Sequence, residues 1–163
     1  MAQGGDPITV EQFDDFELKF DWKVQQGGNS GFMFRVAETD GPPWHTGPEF
    51  QVLHNAGHRD GAAPITSAGS NYAVHPPVRD VTRPVGDWNT ARLLVRGTHV
   101  EHWMNGVKLL EYELGRADWQ RGVQASKFAE IPRYGRETRG HLAIQDHGDP
   151  VAFRNIKVRR LSP

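Results

Sequence analysis

Cysteine is absent, so neither disulfides nor thiolate metal sites hold this fold, and the redox compartment is left open. No apolar run approaches the roughly 20 residues of a membrane span. Neither sign of charge dominates: 19 Lys and Arg stand against 20 Asp and Glu, with no block of five like charges. Nucleic acid and membrane surfaces both require a concentrated basic footprint, so neither is expected as a partner. Several catalytic signatures are missing as well. The chain has no Gly-x-Ser-x-Gly elbow, no His-Glu-x-x-His and no EF-hand spacing, and without a thiol there is no cysteine nucleophile. A divalent ion gathered from distant strands stays open, without positive support. Internal repeats, heptads and low-complexity tracts are also lacking.

Glycine and proline are plentiful, at 18 and 11 of 163 residues, above the usual ~12% of composition. They fall between short apolar runs, as in an all-β protein. Phe16 to Val24 is the cleanest strand, with Phe16, Leu18, Phe20, Trp22 and Val24 on one face and Glu17, Lys19, Asp21 and Lys23 on the other. Strands are also expected at Phe32–Val36, Glu49–Leu53, Trp88–Arg96, Val100–Met104, Val107–Glu113, from His141, and over Val151–Val158, with a short one near Tyr72–Val74. Asn105-Gly106 joins two of them with the strongest short hairpin signal. A helical turn or two is expected between Trp119 and Phe128, inside one of two long connections. The predicted architecture is a two-sheet antiparallel sandwich or jelly roll with little helix. One domain over 13–161 follows, preceded by a flexible segment over 1–12 and long enough to bury roughly 70% of its unfolded surface. The start, Met1-Ala2-Gln3-Gly4-Gly5-Asp6-Pro7, carries no signal peptide and reads like an initiator Met before a mature terminus, which suggests a periplasmic or extracellular protein.

Function is sought on the polar strand faces. In His141-Leu142-Ala143-Ile144-Gln145-Asp146-His147, the apolar Leu142 and Ile144 oppose two imidazoles and an amide, a face unlike the Lys, Glu and Thr of ordinary solvated strands. Arg35, Glu49, Gln51, Gln145 and His147 each lie opposite an apolar face and are expected to share one groove. An amide two residues from a carboxylate suits sugar hydroxyls, which both donate and accept, and Trp44, Trp88 and Trp103 offer stacking surfaces. Plainer readings exist for each. Arg35 and Glu49 also suit a cross-strand ion pair worth about 0–1 kcal/mol. His147, beside Gly148, suits an exposed hairpin. His102 can face either side of its strand. His45, His54, His58 and His75 read as surface loop residues, and Trp22 and Trp119 as packing. Glu49 is the single carboxylate of its strand, so the paired carboxylates of retaining glycosidases, about 5 Å apart, are not expected.

Taken in order, Phe13-x-x-Phe16-Glu17-Leu18, Asn29-Ser30-Gly31-x-x-x-Arg35, Glu49-x-Gln51, Gly86-x-Trp88-Asn89, His102-Trp103-x-Asn105-Gly106, Ser126-Lys127-Phe128, Gln145-Asp146-His147-Gly148 and Phe153-Arg154-Asn155-Ile156 resemble the 3-keto-disaccharide hydrolase domain family, from about Phe13 to Leu161. The resemblance implies a concanavalin-like jelly roll, typically bacterial and exported, acting on a glycoside already oxidised at C3. The ketone acidifies the C2 proton, a base removes it, and the enolate expels the C1 substituent before water adds. That route requires one base and one oxyanion stabiliser. His147 is the expected base, because imidazoles ordinarily titrate near 6.5. Arg35 or a divalent metal is the expected oxyanion stabiliser, and Glu49 is expected to orient the sugar or assist proton transfer. Gln51, Gln145, His102, Trp103, Tyr72 and Lys127 complete the expected substrate-binding set. Family members usually carry a segment resembling Leu-Phe-Asn-Gly-Lys before the position of Phe13, and it is not seen here. An exposed sheet edge and pairing with a second copy are the corresponding expectation. A non-catalytic carbohydrate-binding module is the alternative reading.

Overall fold

A computed structural model describes residues 5–162, so Met1 to Gly4 of the proposed mature terminus lie outside the described residues. Eight strands and one short α-helix follow in the order β1 (Phe16–Val24), β2 (Asn29–Val36), β3 (Glu49–Leu53), β4 (Asn89–Arg96), β5 (His99–Met104), β6 (Val107–Glu113), α1 (Ala117–Gln124), β7 (His141–Ile144) and β8 (Val151–Arg160). They form two antiparallel sheets, of order β6-β5-β4-β1-β8 and β3-β2-β7. The expected sandwich is what the chain folds into. Tyr72–Val74 is the exception: only isolated bridges of Asn71 to Phe50 and to His75 form there.

The period-2 pattern of β1 sends Phe16, Leu18, Phe20 and Trp22 into the core, each no more than 1% exposed. Phe20 spans the layers, its ring centroid 4.7 Å from Phe32 and 5.6 Å from Phe50 on the opposite sheet. Phe20→Ala is expected to cost about 3–5 kcal/mol, through lost burial and the cavity left behind, read as a lower urea midpoint with unchanged slope. Asn105 and Gly106 adopt φ of 50° and 80°, the left-handed pair that a two-residue type I′ hairpin requires.

The outer face of the small sheet is not left to water. Residues 7–13, read from sequence within a flexible lead, run along β7: Thr9 N–H donates to Leu142 O, Ile144 N–H to Pro7 O and Phe13 N–H to Gly140 O. The free edge of β7 is thereby covered. His141, on the outer face, is buried there. Its Nδ1 donates to Thr9 O at 2.6 Å, and Nε2 lies 3.0 Å from Gln12 Nε2. At the other edge, the loop after β3 pairs with it through Gln51 N–H to Ser70 O and Tyr72 N–H to Glu49 O. The two long connections, 54–88 and 114–140, supply the walls above the sheet.

Candidate active site

Glu49 and Gln51 alternate with the core residues Phe50 and Val52 of β3 and project from the outer face, as the pattern predicts. They line a cavity of about 210 Å³ together with Asn29, Tyr72, Lys127, Gln145 and His147. Six residues of the expected site therefore meet: Glu49, Gln51, Gln145, His147, Tyr72 and Lys127. The end of β7 is held against β2 by Ser30 Oγ donating to Gln145 O at 2.7 Å and by Gln145 N–H donating to Gly31 O at 2.9 Å. His147 follows at the rim and is exposed.

Three further wall residues come from the loop after β3: His58, Arg59 and Asp60. His58 had the plainer reading of a surface residue. Its Nδ1 accepts from Asp60 N–H at 3.1 Å, so the neutral ring carries its proton on Nε2. Asp60 in turn accepts from the Tyr72 hydroxyl at 3.0 Å. No local motif marks these residues. A length of irregular chain too great for a simple turn was the available signal.

Glu49 is 4% exposed, and Gly31 of the neighbouring strand makes room for its carboxyl: a Cβ at Gly31 would overlap that group. Burial pushes the Glu49 carboxyl up to about 8, with Lys127 opposing the shift and Asp6 and Asp60 adding to it. Glu49 Oε1, Gln51 Oε1 and Asn29 Oδ1 are buried acceptors without a hydrogen-bond donor among the described residues. Native interiors rarely leave such groups unmatched, so three in one cavity mark a place for a ligand rich in O–H donors. The same oxygens could also take a divalent ion. The described His, Asp and Glu groups that converge within 4.8 Å are instead His99, Glu101 and Glu111, on the outer face of the large sheet.

Lys127 brings the cation. Its Nζ lies 4.6 Å from the ring centroid of Tyr72, 5.0 Å from Trp44 and 5.3 Å from Phe128, so π faces hold the ammonium in place. Burial, followed by the neighbouring Asp60, pushes the Tyr72 hydroxyl up to about 12, keeping it a donor.

Three expected site residues lie elsewhere. Arg35 lies within a break in the β2–β7 register between Met33 and Val36 and has φ of 52°. This bulge ends the strict alternation, and Arg35 turns to the far end of the sandwich. There Nη2 donates to Asp14 O at 3.0 Å and Gly97 O at 2.8 Å. Glu49 pairs across the strands with Met33, so neither an Arg35 oxyanion role nor an Arg35–Glu49 ion pair forms. His102 is fully buried in the core, stacked on Phe50 at 4.8 Å. Its Nδ1 donates to Gly69 O at 3.0 Å and Nε2 accepts from the Tyr112 hydroxyl at 3.3 Å. Burial takes its pKa down to about 3, so it is a neutral core histidine. Trp103 faces outward on the large sheet, its Nε1 donating to Glu101 at 2.7 Å with Arg92 over its ring. Of the other tryptophans considered for stacking, Trp88 lies under Arg154 and Lys23, and only Trp44 approaches the cavity, through Lys127.

Fold and site together define a jelly-roll sandwich that carries a buried acid in a polar cavity on the outer face of its smaller sheet. The chain belongs to the 3-keto-alpha-glucoside-1,2-lyase-like domain family, which it matches over residues 2–159. It is 37% identical, over 183 aligned positions, to the 3-keto-disaccharide hydrolase of Bacteroides thetaiotaomicron. That alignment covers 98% of this chain and 63% of the relative, so the chain spans less than two thirds of that protein. A Parabacteroides distasonis protein provisionally named a glycosyl hydrolase superposes with a TM-score of 0.91 at 36% identity, covering 96% of this chain and 76% of its own. A carbohydrate-binding module of Bacillus subtilis shares the fold, with a TM-score of 0.60 at 11% identity over 96% of this chain and 83% of the module.

Proposed function

We propose that this chain acts on a 3-keto-glycoside, removing the proton at C2 and expelling the substituent at C1, with water adding afterwards. The observation that carries the reading is Glu49, a buried carboxyl raised to about 8 beside a fixed cation. The relative's name, a 3-keto-disaccharide hydrolase, supplies the substrate class. Ionised Glu49 takes the C2 proton, and the C–H electrons become the C2–C3 double bond of the enolate. Lys127 stabilises the oxygen at C3, in the place expected for Arg35. As the C1–O bond breaks, the enolate electrons form the C1–C2 double bond, and His147 at the rim gives the leaving oxygen its proton. Base duty thus passes from His147 to Glu49, since His147 is exposed while Glu49 is buried and oriented. Gln51, Gln145 and Asn29 take the sugar hydroxyls.

The test is direct. The purified chain is incubated with 3-keto-trehalose or an aryl 3-keto-glucoside, and release of the aglycone is followed. Turnover is expected, falling about 10²-fold or more in Lys127→Met through loss of oxyanion stabilisation. Trp103→Ala, outside the cavity, is expected to stay within about twofold, as surface changes usually do. Sugar binding without turnover at any pH, or with added divalent ions, would establish the binding-module alternative instead.

A further inference from the structure

We propose that a second cavity, at the far end of the sandwich and walled by Arg35 and Tyr134, is a ligand site for a small carboxylate with an apolar or aromatic body. It holds about 620 Å³, against 210 Å³ around Glu49, and the two share no lining residue. That volume is typical of small-molecule pockets. Leu114 after β6, Val123 on α1 and Ile131 in the loop that follows give it an apolar side, and Gln120, Arg136 and Glu137 a polar one.

Among the described residues, the Arg35 guanidinium is answered only through Nη2, by Asp14 O and Gly97 O. The residue is 5% exposed, and its Nε has no acceptor among the described residues. The Tyr134 hydroxyl, 3% exposed in the same wall, is likewise without a partner. Asp15, 3.6 Å from Nη2, is the nearby carboxylate, and it is a quarter exposed. A buried donor left unmatched lowers stability, and so does a left-handed φ on a residue other than glycine. A methionine here would fill the space without the unmatched donor. Backbone strain at a buried, incompletely paired guanidinium is the pattern of a binding position.

A carboxylate offers acceptor oxygens to either kind of donor, and guanidinium–carboxylate pairing is the strong, charge-assisted kind. The apolar side of the cavity matches the body of the ligand, an aryl or short alkyl group.

The site is tested on isotope-labelled full chain by titrating 3-phenylpropionate to about 20 mM, a concentration that saturates millimolar sites. Saturable shifts are expected at the backbone amides of Gly97, Thr98 and Gly135. The neutral 3-phenylpropanol is expected to bind at least about tenfold more weakly, the loss of one charge-assisted contact. Arg35→Met is expected to abolish the shifts. Should that variant fail to fold, Val123→Trp fills the cavity from the helix without touching the guanidinium. It is expected to abolish them too, while leaving 3-keto-glucoside cleavage unchanged. The proposal is overturned if no saturable shift appears, if the alcohol binds as well as the acid, or if Val123→Trp still binds.

Discussion

Glu49→Gln is expected to lower kcat/KM for a 3-keto-glucoside by about 10²–10⁴, the usual loss for a positioned acid–base group. The pH profile of the native chain carries the same information. A base must be ionised to act, and the Glu49 carboxyl sits at about 8. Where removal of the C2 proton limits the rate, activity should therefore rise about tenfold per unit from pH 6 and level off near 8. A profile with its only inflection near 6 would instead return the base role to an imidazole. Stability should move the opposite way. The folded-state pKa lies above the unfolded value of 4.5, so between 4.5 and 8 the folded chain holds a proton that the unfolded chain has lost. The contribution of Glu49 to stability is full below 4.5 and falls as pH rises through that window, by roughly 1.4 kcal/mol per unit. Glu49→Gln removes the fall, so its urea midpoint should gain on the native chain between pH 5 and 8.5. An equal gap at both pH values would show that the carboxyl is not held neutral.

Gly31→Ala should abolish most of the activity while sparing the fold. Gly31 does not adopt a positive φ, so an alanine is compatible with its backbone. Its methyl group would land on the Glu49 carboxyl, which must then leave its position. Displacing a catalytic group by about 1 Å costs on the order of 10²-fold, and that is the expected loss in kcat/KM. The acid–base inflection near 8 should shift as well, because the carboxyl is pushed from the site that desolvates it. Native-like activity with an unchanged inflection in Gly31→Ala would mean that Glu49 is not the group being read.

Six of the nine expected residues meet in one cavity and three lie elsewhere. Glu49, Gln51 and Gln145 were found by alternation, which holds as long as a strand stays regular. Arg35 obeyed the same alternation on paper, and a bulge at Met33–Val36 voided it. His102 and Trp103 are neighbours on β5 with both faces half apolar in sequence. The contacts of Phe50, Gly69 and Tyr112 decide that His102 faces inward. His58 and Asp60 carry no periodicity at all, since loop residues reach a site through the path of the chain.

Sequence alone determined the two-sheet sandwich, the strand bounds of β1, β3 and β6, the Asn105-Gly106 hairpin and the family, because each rests on local backbone preferences or on ordered motifs. Tertiary structure decided which polar groups meet. It placed Lys127 in its aromatic frame, raised Glu49 by burying it over Gly31, and sent Arg35 to a different cavity. Desolvation and contact are properties of residues far apart in the chain, and no local pattern encodes them.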